Sequence, residues 1–172
     1  MKPERPSEKE YAPFYAGYVG LVPEAGIVPV LRQQPLELEA FARDVPEDGE
    51  SFRYGPEKWS IREVFGHMND GERVFGYRLF CISRGEQAAL PGFDEKTYVS
   101  AAGYDRRALK DLVADFSRLR DSNVALLESL DEPAWLRSGN ANGSPVSVRG
   151  LSYIMAGHVR HHLGVLRSRY RR

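Results

Sequence analysis

With one cysteine, Cys81, in 172 residues, the chain can form no internal disulfide and offers neither a CxxC redox motif nor a cysteine zinc site. Set among Leu79, Phe80 and Ile82, Cys81 reads as a small buried apolar residue. Charge of one sign is also lacking. The 24 Lys and Arg balance the 24 Asp and Glu, so no net field draws in a nucleic-acid backbone or an anionic membrane. No apolar run approaches the roughly 20 residues of a membrane span, and the opening MKPERPSEKE is charged where a secretory signal would turn apolar. The expected location is therefore the cytoplasm. Asn142-Gly-Ser144 spells a glycosylation sequon, but without an export signal it reads as a turn. Internal repeats and low-complexity tracts are missing too.

What is present fits one ordinary domain over residues 1–172. The hydrophobic share is 42% and the charged share 28%, enough to bury a single core. The first 35 residues hold six prolines and the aromatics Tyr11, Phe14, Tyr15 and Tyr18. Residues 1–34 accordingly read as an extended or short-helical arm packed on the body.

Four helical segments follow, making the fold all-α. The first spans 35–43, with Pro35 in a first turn, although it can start nearer Val28. The second carries the clearest local signal. Ser60 is an N-cap, Glu63 completes a capping box, Trp59 and Val64 form a hydrophobic staple, and Gly85 supplies the stop. A helix over 61–84 is expected. Residues 88–103 lack a helical period and read as a long crossover loop. The third helix, 106–130, places Leu109, Leu112, Val113, Phe116, Leu119, Leu126, Leu127 and Leu130 at three- and four-residue steps. Asn123 interrupts that stripe, either as a polar contact to a site or as a structural side chain. Residues 139–145 are rich in turn formers, and Ser147 can cap a last helix reaching Arg169.

Of only four histidines, three fall in His158-Val-Arg-His161-His162 on that last helix. At 100° per residue, His158 and His162 lie about 40° apart, astride the centre of the face built by Leu151, Ile154, Met155, Val165 and Leu166. His161 falls at its edge. Two imidazoles one turn apart on an apolar face are a metal-binding device, whereas a lone core histidine is ordinarily a hydrogen-bonded structural group. The glutamate of the zinc-protease helix is absent, because position 159 is Val. His67 lies beside the inward face of the second helix, with Gly71 one turn on, leaving room for something larger than a side chain. Glu72 falls among Phe65, Met68 and Leu79. There it can orient a ligand imidazole, act as a base, or serve as a salt-bridged structural carboxylate.

Three stretches, Tyr54-Gly-Pro-Glu-Lys-Trp59-Ser-Ile-Arg-Glu-Val-Phe-Gly-His67-Met-Asn-Asp-Gly-Glu72-Arg, Leu90-Pro-Gly-Phe-Asp94 and Gly157-His158-Val-Arg-His-His162-Leu, together resemble the DinB-like superfamily, in particular its YfiT-like branch. This resemblance implies a four-helix bundle, up-down-down-up, with a long crossover between helices 2 and 3. It also implies one divalent metal ion (Zn, Ni or Fe) held by His67, His158 and His162, and a bundle that can dimerise. Val159 stands where many relatives have Glu; on a position expected to point outward, it should leave the metal unaffected.

Three imidazoles leave a coordination position open, as reactive sites do. The first expectation is a metal-dependent transferase that joins a low-molecular-weight thiol to an electrophile, with the 88–103 loop and the arm shaping the pocket. A metal-dependent hydrolase, with Glu72 or Asp70 aiding water, is the second. A non-enzymatic metal-binding stress-response protein is the third. The Arg-rich end, Arg160, Arg167, Arg169, Arg171 and Arg172, is read as complementing a helix macrodipole rather than binding phosphate.

Overall fold

A computed structural model describes residues 4–170; residues 1–3 of the arm, and Arg171 and Arg172 of the Arg-rich end, lie outside them. The arm carries two short 3-10 turns and the helix α1 (Ala16–Gly20). Then come α2 (Ile27–Arg43), α3 (Ile61–Ser83), α4 (Glu95–Ala102), α5 (Leu109–Glu128), α6 (Glu132–Leu136), the strands β1 (Ser138–Ala141) and β2 (Ser144–Ser147), and α7 (Val148–Arg169). Among the described residues no helix is long and apolar enough to cross a membrane.

The four long helices α2, α3, α5 and α7 form the bundle, and side-chain pairs give their directions. Asn69 donates to Leu112 O and Asn123 to Glu72, so α3 and α5 run parallel. His67 meets His162 while Gly71 faces His158, so α3 and α7 run antiparallel. Arg32 pairs with Glu128 and Gln34 with Arg120, which sets α2 against α5. The order is up-down-down-up, and the crossover from α3 to α5 runs past α4. One core cluster gathers Leu31, Phe75, Leu79, Leu127, Leu151 and Ile154; the other gathers Phe65, Met68, Leu112, Phe116, Leu163 and Leu166.

Several boundaries differ from the sequence expectation. The first bundle helix begins at Ile27 and carries Pro35 inside it, so residues 27–34 belong to the bundle and not to the arm. The 88–103 crossover contains α4, capped by the Asp94 side chain accepting from Thr97 N (2.8 Å) and ended by Gly103 at φ 64°. Only Val99 of α4 is buried, so no apolar period betrays it. The 139–145 turn is the tip of a hairpin. Asn142 and Gly143, at φ 55° and 75°, are both left-handed, as the tight turn between two twisted strands requires. Leu90 forms a bridge to Ala141, tying the crossover to that hairpin.

Val159 is corrected as well. It is 1% exposed and part of the second core cluster. The arm lies across the outer side of α7, where a side chain at Gly157 would run into Tyr18 O and one at Gly150 into Glu10 O. Val159 faces away from the arm: it lies within about 40° of Leu163 and Leu166 around α7 and shares their core cluster with Leu38 of α2, so the position is interior. Cys81 is half-buried and free.

Candidate metal centre

The capping box that opens α3 is formed in full. Glu63 N donates to Ser60 Oγ (3.1 Å) and Ser60 N to Glu63 Oε2 (2.8 Å). These bonds satisfy two of the otherwise unpaired donors of the first turn and fix the phase of the helix. His67 sits about two turns in. Across from it, Ser147 Oγ accepts from Gly150 N (2.9 Å) and starts α7, which delivers His158 and His162 one turn apart.

The three side chains converge through the same ring atom. His158 Nε2 lies 2.9 Å from His67 Nε2, and His67 Nε2 lies 3.1 Å from His162 Nε2. One ligand atom from each residue falls within 4.8 Å of the others. Burial pushes His67 down to about 4, with the charge of His161 acting the same way. His158 and His162 are likewise held well below the ordinary histidine range by burial, and by their histidine neighbours. At neutral pH all three are neutral imidazoles. Three neutral rings cannot satisfy three mutually facing nitrogens with protons alone, whereas an ion with nitrogen ligands at about 2.1 Å would take three lone pairs at comparable spacing. The residues fit a metal. His161 is exposed, its ring beside Tyr18 at 5.3 Å, and it stands outside the cluster as the helical phase required.

Packing orients the rings. Trp59 lies over His67 with centroids 4.8 Å apart and planes inclined by 35°, while His67 Nδ1 is buried with no hydrogen-bond partner. His158 is set edge-on between Phe75 (5.5 Å) and Tyr18 (5.6 Å). The space beside Gly71 is taken by the His158 ring itself; a methyl there would come within 2.9 Å of its Cε1.

Glu72 belongs elsewhere. Its carboxylate accepts Arg120 Nε and Nη2, both at 2.8 Å, and Asn123 Nδ2 at 2.8 Å. None of these partners is a histidine of the cluster, so the expectation of a catalytic Glu72 gives way to a structural ion pair, and Asn123 serves that pair. Asp70 Oδ1 accepts from the Tyr104 hydroxyl at 2.6 Å and is directed there.

The cluster opens into a cavity of about 540 Å³ lined by His67 and His158, by Tyr18 of the arm, by Arg78, and by Asp94 and Glu95 of the crossover. Sequence reasoning passed over Glu95, whose Oε2 lies 3.9 Å from His67 Nε2, and Arg78. The motif reaching Asp94 pointed to the right turn, but Asp94 itself caps α4 and the residue after it reaches the histidines.

A four-helix bundle with a buried histidine triad at the foot of an open cavity is the class defined by fold and site. The DinB superfamily model matches residues 31–166, and the chain belongs to that superfamily. Among solved structures it is similar to YfiT from Bacillus subtilis, described as a probable metal-dependent hydrolase with an unusual four-helix bundle topology. That likeness has a TM-score of 0.75 at 16% identity, covering 94% of this chain and 89% of the other. At that identity it establishes the fold. No curated protein matches the chain.

Proposed function

We propose that His67, His158 and His162 hold one divalent metal ion (Zn, Ni or Fe) and that the protein uses it to transfer a low-molecular-weight thiol onto an electrophile. The observation carrying this reading is the convergence of three neutral Nε2 atoms, 2.9 and 3.1 Å apart along the chain of contacts, at the end of a cavity wide enough for two small reactants. A bound metal of this kind supplies Lewis acidity, favouring the anionic form of a thiol or of water. Glu95 stands where it can take the released proton, and Tyr18 and Phe75 give the cavity aromatic walls beside His158. No protein nucleophile is needed: the single cysteine, Cys81, is not among the residues lining the cavity.

Hydrolysis is the second reading, favoured by the same Glu95 carboxylate, which can serve water as well as thiol, and by the description of the YfiT structure. A non-enzymatic metal-binding stress-response protein is the remaining one. The proposed partners are a small thiol and an electrophile; nucleic acid and membrane are not among them, and pairing into a homodimer is part of the proposal.

Metal analysis of the purified protein and of His67→Ala, His158→Ala, His162→Ala and His161→Ala tests the site. Loss in the first three and retention in the last is expected; retention in all four would remove the metal reading. Incubation of the metal-loaded protein with monobromobimane and a panel of thiols tests the reaction. Thiol-dependent acceleration that disappears in His162→Ala supports transfer, ester turnover without thiol supports hydrolysis, and inactivity in both supports the binder.

A further inference from the structure

Two arginines of α3 and α5 are buried almost completely, and they are treated differently. Arg120 has Glu72 across both nitrogens of one edge, Gln34 Oε1 at 2.5 Å and the Leu31 carbonyl. Arg78, 3% exposed, has a single bond, Nη2 to Pro91 O at 2.7 Å. Its Nε is buried with no partner, and among the described residues it forms no ion pair. A guanidinium withdrawn from water without a counter-charge is costly, and this protein pairs its other buried arginine. Arg78 lines the cavity that His67 and His158 also line.

Among the described residues neither acid of that cavity pairs with Arg78. Asp94 Oδ1 accepts from Thr97 N, and Glu95 stands beside His67. Arg78 is also held in place. Leu90 N donates to Asn140 O (2.9 Å) and Asn142 N to Leu90 O (3.0 Å), so the hairpin fixes the crossover whose Pro91 carbonyl holds Nη2. The guanidinium is therefore preset at the cavity wall without a counter-charge.

We propose that Arg78 is a carboxylate subsite: the substrate of this cavity carries a carboxylate that docks on Arg78 while its reacting end lies at the histidine cluster. This inference rests on the reading above, that the histidine cavity is where substrate binds. One preset cation with acids nearby suits a monoanion better than a phosphate dianion, which calls for more donors. Residues 67 and 78 are eleven apart, nearly on one face and about 16 Å along the axis, and both line the one cavity. The separation left between the guanidinium and the histidines sets the distance from carboxylate to reacting atom, which a series of ligand lengths reads out.

The test uses the full-length protein loaded with cobalt(II) and a series of mercaptocarboxylates of increasing length, each against its matching amide, read by thiolate-to-cobalt absorption. In parallel, short dicarboxylates and inorganic phosphate are titrated calorimetrically into the metal-free protein. Carboxylates should bind at least about tenfold more tightly than amides at the best length; Arg78→Gln should erase that ratio while leaving amide affinity unchanged, and Arg78→Lys should keep part of it. A ratio near one in the native protein, or one unchanged in Arg78→Gln, overturns the subsite, as does phosphate binding tighter than every carboxylate. Should Arg78→Gln fail to fold, the native ratio and Arg78→Lys still decide. Arg78-dependent dicarboxylate binding without any cobalt–thiolate band would sink the thiol reading and sustain the subsite. A band without carboxylate preference would do the reverse.

Discussion

Arg120 donates to the carbonyl of Leu31, at 3.3 Å, the carbonyl that Pro35 leaves without its i+4 helical partner. A proline inside a helix has no N–H to give the residue four before it, and a buried carbonyl without a donor is costly. Here a guanidinium from the neighbouring helix takes the missing role. From Arg120 the bonds continue to Glu72 on α3 and Gln34 on α2, and Gln34 Nε2 reaches Ala156 O on α7 at 2.7 Å. All four bundle helices are thereby joined, two residues before His158.

Removing one end of the buried pair should therefore be expensive. Arg120→Leu leaves the Glu72 carboxylate uncompensated and is expected to lower unfolding free energy by about 3–5 kcal/mol in urea titrations. The double change Arg120→Leu with Glu72→Leu should recover a large part of that loss. Because Glu72 bonds to Arg120 and Asn123 rather than to the histidines, Glu72→Gln should retain full metal stoichiometry. Loss of metal in a folded Glu72→Gln would return Glu72 to the site.

Gly71→Ala isolates the position of a single ring. The added methyl would come within 2.9 Å of His158 Cε1, closer than nonbonded carbons approach, so the imidazole must shift. The alanine is a better helix former than glycine by roughly 1 kcal/mol, which keeps global stability near its native value. The expected outcome is at least a tenfold weaker metal affinity in chelator competition with little change in the urea midpoint. Unchanged affinity would mean that His158 is not held where Gly71 permits.

The bundle and two of the three site residues were legible in the sequence because they are local. Ser60 and Glu63 announce the start of α3, and helical phase alone separates His158 and His162 from His161. His67 came from resemblance, since its own helix places it only beside the inward face. What escaped is long-range. Nothing near Glu72 foretells an arginine 48 positions later, Pro35 read as a helix start because its compensating donor is on α5, and Glu95 reaches the cluster only once α4 has folded back. Val159 lies in the interior because it packs in the core cluster that includes Leu38 of α2, a partner far away in the chain that no local pattern announces.

The depressed histidines make the metal-free protein sensitive to acid. For His67 the folded value, about 4, lies below the ordinary 6.5, so between these pH values the unfolded chain binds more protons. Stability then rises with pH across that window: the contribution is complete above about 6.5 and is lost as pH falls toward 4. For His67 alone the span is on the order of 3 kcal/mol. Chelator-treated protein should show urea midpoints falling steeply from pH 7 to pH 5, and His67→Gln should flatten that slope. A native midpoint constant over this range would contradict the buried neutral state.

The contact between Trp59 and His67 offers a direct optical reading of the site. The chain has two tryptophans. Trp59 has its ring 4.8 Å from that of His67, while Trp135 lies in the other core cluster, packed with Leu127 and Val146. A paramagnetic or open-shell ion bound by His67 through Nε2 would sit within a few ångströms of the Trp59 ring and quench it at contact range. Titration with Ni(II) or Cu(II) is therefore expected to remove the Trp59 share of the fluorescence at one equivalent, leaving the Trp135 share. Trp135→Phe should preserve the quenching and Trp59→Phe abolish it. His161→Ala should behave as native, because its ring faces Tyr18 outside the cluster. Equal quenching in both tryptophan variants would place the ion away from His67.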